Sequence, residues 1–208
     1  MKEQRIVFLD LDQVLFDYRT FRNKGKITTY YGCIEESVLL LKNTLEETDA
    51  KIVFITSWDK EKILRSLNGG ELSILKDHVY KNPYVRGVYR RGDRTEGILR
   101  WFIDNFGECE KTGFKDPIAP IVMATGQSVR FAIVDDSTGL YMRWWAGSRL
   151  VPVINHRFGN YENQLLRALL TGKDIEDAVQ EMKRRADILN RQCRGMYTRE
   201  ADEYSFRQ

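Results

Sequence analysis

A chain of 208 residues is long enough to bury a full hydrophobic core, and 42% apolar with 30% charged residues excludes a largely disordered polymer. Its longest apolar runs, such as Ile118 to Ala124, fall far short of the roughly 20 residues a membrane-spanning helix needs. The net charge of +3 leans toward anionic partners without identifying one. The amino terminus, Met1-Lys2-Glu3-Gln4-Arg5, runs directly into a short apolar stretch and has no signal-type apolar region, so a cytoplasmic location is expected. Cys33, Cys109 and Cys193 are scattered and odd in number, which suits free thiols in a reducing compartment and makes no zinc pattern. His78 and His156, the only histidines, stand in no metal spacing and beside no nucleophile elbow.

Ile6 to Leu9 is a short continuous apolar run of the kind that forms a strand covered on both faces. It leads into Asp10-Leu11-Asp12-Gln13-Val14-Leu15. Ile34 to Thr48 places Val38, Leu41 and Leu45 three and four apart, which predicts a helix. Lys51 to Ile55 reads as a second buried strand ending in Thr56-Ser57-Trp58. Lys60 to Leu67 is helical up to the breaker Asn68-Gly69-Gly70. A short strand is expected around Tyr84 to Tyr89, then a helix from Glu96 to Phe106 with Ile98, Trp101 and Phe102 on one face. Gly107 to Pro120 is loop-like. Phe131 to Val134 is a further buried strand, ending in Asp135-Asp136-Ser137-Thr138, and Leu150 to Ile154 another. Asn163 to Leu170 and Asp174 to Arg194 read as helices, and Met196 to Gln208 as a polar tail. Strands alternating with helices, without repeats or a linker, predict a single α/β domain over residues 1–195 built on a parallel sheet, with the tail at 196–208.

Three strands thus end in reactive residue types: Asp10 and Asp12, Thr56 and Ser57, Asp135 and Asp136. Open parallel sheets bind ligands beyond the carboxyl ends of their strands. Four carboxylates delivered to one place repel each other unless a cation sits among them, and an oxygen-only donor set favours Mg²⁺. Taken singly, each pair has an ordinary structural use: acids form loops, and Thr56-Ser57 can cap the helix beginning near Asp59. Tyr141, Trp144 and Trp145 suit packing, and Lys183-Arg184-Arg185, flanked by Glu181 and Asp187, suits a solvated helix face. Arg86, Arg90, Arg91 and Arg94 lead straight toward the acidic site and could meet an anionic substrate.

The run Phe8-Leu9-Asp10-Leu11-Asp12-Gln13-Val14-Leu15 resembles the first motif of the haloacid dehalogenase superfamily. Ile52 to Thr56 resembles its second motif, and Ile133-Val134-Asp135-Asp136 its fourth. Order and separation match as well, from near residue 5 to near residue 170. The resemblance implies a Rossmann-like fold and a phosphatase. Asp10 would be the nucleophile, forming an aspartyl-phosphate, and Asp12 the general acid and base. Mg²⁺ would be held by Asp10, the backbone carbonyl of Asp12, Asp135 and Asp136, the last directly or through water. Thr56, with Ser57 as runner-up, would hold a phosphoryl oxygen.

Two positions depart from the common pattern. The third motif normally supplies a lysine; here Arg94 stands at the basic position, with Arg91 as competitor, and a guanidinium can grip phosphate oxygens bidentately. Gln13 stands where relatives commonly carry glycine after the second Asp, which could alter the turn or reach the substrate and allows reduced activity. Neither the segment between Asp12 and Thr56 nor that between Trp58 and Arg94 holds a large cap module, so the chain is expected to be capless or nearly so. Glu47 to Trp58 and the Arg94 to Phe102 segment look like small capless domains of RNA-repair proteins. That likeness implies a phosphomonoester on a nucleotide or nucleic-acid end, a 3′-phosphate among them, as the preferred substrate. The rivals are a phosphatase of small metabolites or phosphoproteins, and a non-catalytic nucleic-acid or protein-binding module on the same fold. No Gly-x-x-x-x-Gly-Lys-(Ser/Thr) loop is present to add a kinase. Oligomeric state is not legible.

Overall fold

Apolar β-branched and aromatic runs pair into one central sheet. The computed structural model describes residues 3–23, 26–85, 94–108, 119–137, 149–153, 156–173, 177 and 180. Met1–Lys173 form one compact unit and Asp174–Gln208 a second; every element below belongs to the first. The expected helix at 174–194, apart from residues 177 and 180, and the tail at 196–208 lie outside the described residues, as does the domain end at 195. Among the described residues no helix is long and apolar enough to cross a membrane.

The strands are β1 (Gln4–Leu9), β2 (Phe16–Asn23), β3 (Lys26–Cys33), β4 (Lys51–Phe54), β5 (Val79–Tyr84), β6 (Ile121–Val122), β7 (Ser128–Asp135) and β8 (Leu150–Pro152). The helices are α1 (Glu35–Thr48), α2 (Lys60–Leu67), α3 (Arg94–Phe106) and α4 (Asn160–Thr171), with a 3-10 helix at Ser73–His78. The sheet runs β5-β4-β1-β7, with β6 and β8 both pairing on the far edge of β7. All pairings are parallel except β6 with β7. Strand order therefore reverses direction at β1: the chain goes first to β4 and β5 on one side, then to β7 and β8 on the other. The carboxyl ends of β1 and β7 flank that switch point, where open α/β sheets form their ligand crevice.

Alternation along β1 sorts the core. Ile6 and Phe8 join the layer under α3, which includes Phe131, Ile98, Trp101 and Phe102. Phe8 meets Trp101, Phe102 and Phe131 edge-on at 5.3, 5.4 and 5.7 Å between centroids, the favoured geometry for aromatic quadrupoles. Val7 and Leu9 point to the other face, where α1 and α4 pack on each other and α4 on β7. The result is helix, sheet and helix in three layers, the Rossmann-like architecture expected.

Four strands differ from the sequence reading. The strand placed around Tyr84 to Tyr89 is instead β5, ending at Tyr84; Val79 pairs with Ile52 and Tyr84 with Phe54 across a bulge, and residues 86–89 lie outside the described residues. Alternation there is broken by Lys81, Asn82 and Pro83, which suit an edge strand and hide its period. A second, two-stranded sheet, β2 with β3, stands where no element was expected. It leaves the first motif and returns at Ile34, whose N–H donates to the Leu15 carbonyl at 2.8 Å and closes its base. The short β6 was also not anticipated.

Phe8 is fully buried at the junction of sheet and α3. Phe8→Ala should lower unfolding free energy by about 3–5 kcal/mol, read from the midpoint of a urea titration. A loss below about 1 kcal/mol would mean that this aromatic layer is not the packed core.

Candidate active site

Asp10 follows the last residue of β1, and its N–H donates to the Val134 carbonyl on β7 at 2.9 Å. The sheet ladder thus continues one residue past the strand and fixes the backbone that carries the acid. The side chain is buried, with Oδ1 accepting the Leu11 N–H at 2.7 Å and Oδ2 accepting Arg94 Nη1 at 2.8 Å. The nearby Thr56 hydroxyl also favours the ionised form of this carboxyl. Burial pushes Asp10 above the usual carboxylate range, with the Arg94 charge and these hydrogen bonds pulling the other way.

Leu11 to Phe16 make one tight turn. The N–H groups of Leu15 and Phe16 both reach the Leu11 carbonyl at 3.0 Å, and the Gln13 N–H donates to the Phe16 carbonyl at 2.6 Å. Gln13 sits at φ 56°, the left-handed region that glycine enters freely and other residues enter at about 1–2 kcal/mol. The glycine common at this position and the glutamine found here therefore meet the same backbone demand.

Asp12 has a different set of partners from Asp10. Its Oδ1 accepts the Tyr31 hydroxyl and, at 2.7 Å, Trp58 Nε1; its Oδ2 accepts Ser57 Oγ at 3.2 Å. Burial raises the Tyr31 phenol above its ordinary range, and the hydrogen bond to Asp12 and nearby carboxylate charge raise it further, so Tyr31 remains a donor. Trp58 packs on Phe16 at 4.6 Å and carries Lys62 Nζ over its ring at 3.3 Å. Asp59 caps α2 by accepting the Lys62 N–H at 2.7 Å, which fixes the turn holding Thr56 to Trp58. The two hydroxyls thus divide: Thr56 is buried at Asp10, Ser57 is exposed at Asp12.

Asp135, fully buried at the end of β7, accepts the Ser137 N–H on Oδ1 at 2.7 Å and Arg94 on Oδ2. Asp136 is half-buried beside it and accepts Ser137 Oγ at 3.3 Å. Arg94 reaches both Asp10 and Asp135 through one nitrogen. The stripe that packs α3 also aims it, because Arg94, Ile98, Trp101 and Phe102 share one buried helical face. Trp101 Nε1 anchors the helix by donating to the Asn82 carbonyl at 2.7 Å. Arg91 lies outside the described residues, as do Arg86 and Arg90.

Asp10, Asp135 and Asp136 each offer a carboxylate oxygen, and these oxygens lie within 4.8 Å of one another. Three carboxylates against the Arg94 guanidinium leave two negative charges among these four side chains. An all-oxygen, doubly negative cluster fits a small hard divalent cation such as Mg²⁺. The Asp12 carboxylate is engaged elsewhere, so only its backbone carbonyl remains for such an ion. A separate cavity of about 380 Å³ sits at the amino ends of β1, β4 and β5, lined by Glu3, Arg5, Lys51 and Lys81 among others, at the far end of the sheet from this cluster.

Residues 6–158 match a family described as the HAD domain in Swiss Army Knife RNA repair proteins, HAD abbreviating haloacid dehalogenase. The chain belongs to that family. Comparison with curated proteins and with solved structures gave no match.

Within this HAD domain two site residues escaped the sequence reading, Tyr31 and Trp58. Tyr31 could have been found through its hairpin. Aromatic and β-branched residues fill Phe16 to Tyr31, and Asn23-Lys24-Gly25-Lys26 divides them with a turn signal. Nothing local marks Trp58 as a partner of Asp12, because the two meet only when β1 and β4 pair.

Gln13→Gly should raise stability by about 0.5–1 kcal/mol, the relief of left-handed strain less the added unfolded-state freedom. The check is the shift of the urea midpoint at constant slope. A decrease would mean that the glutamine side chain contributes more than its backbone conformation costs.

Proposed function

We propose that this HAD domain is a Mg²⁺-dependent phosphomonoester hydrolase that works through an aspartyl-phosphate on Asp10. The observation that carries the reading is the convergence of Asp10, Asp135 and Asp136 on one point at the sheet's switch, with Arg94 and Thr56 against them. When bound there, with the Asp12 backbone carbonyl as a further donor, Mg²⁺ supplies the positive charge that lets a carboxylate approach a phosphate dianion.

The chain's own residues do the rest. An Asp10 carboxylate oxygen attacks phosphorus as the ester P–O bond opposite it breaks, and Asp12 gives the departing oxygen its proton. Asp12 then takes a proton from water, which attacks the same phosphorus; the Asp10–phosphorus bond breaks and inorganic phosphate leaves. Tyr31, Trp58 and Ser57 hold Asp12 in the one orientation both proton transfers require. Arg94 and Thr56 are already at the nucleophile and bind the equatorial phosphoryl oxygens, with Ser57 and Arg91 the neighbouring candidates. The preferred substrate is a phosphate on a nucleotide or nucleic-acid end. The family's occurrence in RNA repair proteins supports that choice. Chain location is proposed to be cytoplasmic.

Phosphate release from p-nitrophenyl phosphate should require added Mg²⁺, stop with EDTA, and fall by at least about 10³-fold in Asp10→Asn. Full activity in EDTA, or in Asp10→Asn, would end the proposal. Trp58→Phe keeps the ring and removes the N–H that holds Asp12. Its kcat should drop about tenfold for alkyl phosphates, whose leaving oxygen needs a proton, and less for p-nitrophenyl phosphate. Equal loss on both esters would mean that Trp58 serves folding rather than proton transfer.

A further inference from the structure

The hairpin of β2 and β3 carries more than the Asp12 contact needs. Its register puts Phe16 opposite Cys33, Tyr18 opposite Tyr31 and Thr20 opposite Thr29 on one face, with Ile27 following on the same face of β3. That face begins at the catalytic acid, since Tyr31 donates to Asp12 and Phe16 lies on Trp58. It continues outward through Tyr18, set edge-on to Tyr31 at 5.0 Å and 67% exposed. Beyond are the paired hydroxyls of Thr20 and Thr29, 3.1 Å apart, and Ile27, 64% exposed. From Tyr31 to Ile27 the strip extends about 13 Å. On the opposite face Tyr30 has a structural task, its ring lying across the place a side chain at Gly32 would fill. No such task accounts for Tyr18.

Charge points the same way. Phe16 to Cys33 hold Arg19, Arg22, Lys24 and Lys26 against the single acid Asp17, a surplus equal to the +3 of the whole chain. Lys62 adds an ammonium 5.9 Å from the Tyr31 ring centroid. A leaving group protonated by Asp12 must emerge on the Asp12 side of the site, which is where the strip starts.

We propose that the Tyr31–Tyr18 face of this hairpin is a binding strip for single-stranded nucleic acid, stacking the bases next to the terminal phosphate while the hairpin's cations neutralise the backbone. Exposed aromatics joined to a basic arm suit bases and phosphates together, because every base offers a flat face regardless of sequence. A small phosphometabolite would leave a strip of this length unused. The inference rests on the nucleic-acid reading of the substrate above and locates where that substrate lies.

The test is equilibrium binding, which does not depend on turnover. Fluorescence anisotropy would follow a labelled 3′-phosphorylated homopyrimidine hexanucleotide binding to the full chain carrying Asp10→Asn. Adding Tyr18→Ala should raise Kd about tenfold or more, Tyr18→Trp should restore it, and Thr28→Ala on the other face should bind as the parent. Kd should also rise steeply with salt. Parent-like binding by the Tyr18→Ala protein overturns the strip and leaves the phosphatase reading intact. So does competition by a blunt duplex or a phosphopeptide as strong as that by unlabelled single strand. Absence of Mg²⁺-dependent phosphate release by the chain with Asp10 intact, with single-strand binding preserved, would instead remove the catalytic reading and keep the strip.

Discussion

Like charges forced together at the ends of adjacent parallel strands are the constraint on which this molecule is organised. Asp10 and Asp135 are both buried, and neither can ionise there without a compensating charge. Arg94 supplies one positive charge to both, and with Asp136 the cluster still holds an excess of negative charge. Removing one partner from such a buried network costs about 3–5 kcal/mol, because it strands the others. A small divalent cation would offset that excess of negative charge. The fold supports it with an aromatic layer, in which Phe8, Trp101 and Phe102 pin α3 so that the guanidinium arrives where two strands end.

The second acid is treated differently. Asp12 lies just two residues beyond Asp10 but its side chain is held by a phenol, an indole and a hydroxyl drawn from β3 and the turn after β4. Gln13, in the left-handed region, turns the backbone directly after Asp12. Two carboxylates close in sequence thus face separate surroundings, one bound to a cation and one oriented by neutral donors. Such separation gives the two carboxylates different chemical environments within one site.

The hairpin links the acid to the outside of the molecule. Tyr31 contacts Asp12 from one end of it, while Tyr18 and Ile27 stand in solvent toward the other. A two-stranded ribbon without a second layer is weak alone. Here its base is tied by the Ile34–Leu15 hydrogen bond and by Phe16 against Trp58. The expectation of a nearly capless chain thus meets an 18-residue excursion over Phe16–Cys33 that is short but placed at the site.

The buried strands and amphipathic helices declared themselves because periodicity reports burial. Ile6 to Leu9, Ile52 to Ile55 and Phe131 to Val134 are continuous apolar runs, and α2 has its expected limits, Lys60–Leu67. The acids at the strand ends were legible for the same reason, since a polar residue directly after a buried run marks where the sheet stops. The position of β5 was not, because an edge strand with lysine, asparagine and proline has lost its period. The hairpin was passed over although its residues signalled it. Which groups meet across the site was decided by tertiary packing: Arg94 with Asp135 through α3 on the sheet, Trp58 with Asp12 through the pairing of β1 and β4, and Tyr31 with Asp12 through the hairpin. Sequence fixes the period of each segment, whereas contacts between distant segments follow from sheet order and register, which are set by the burial of the whole.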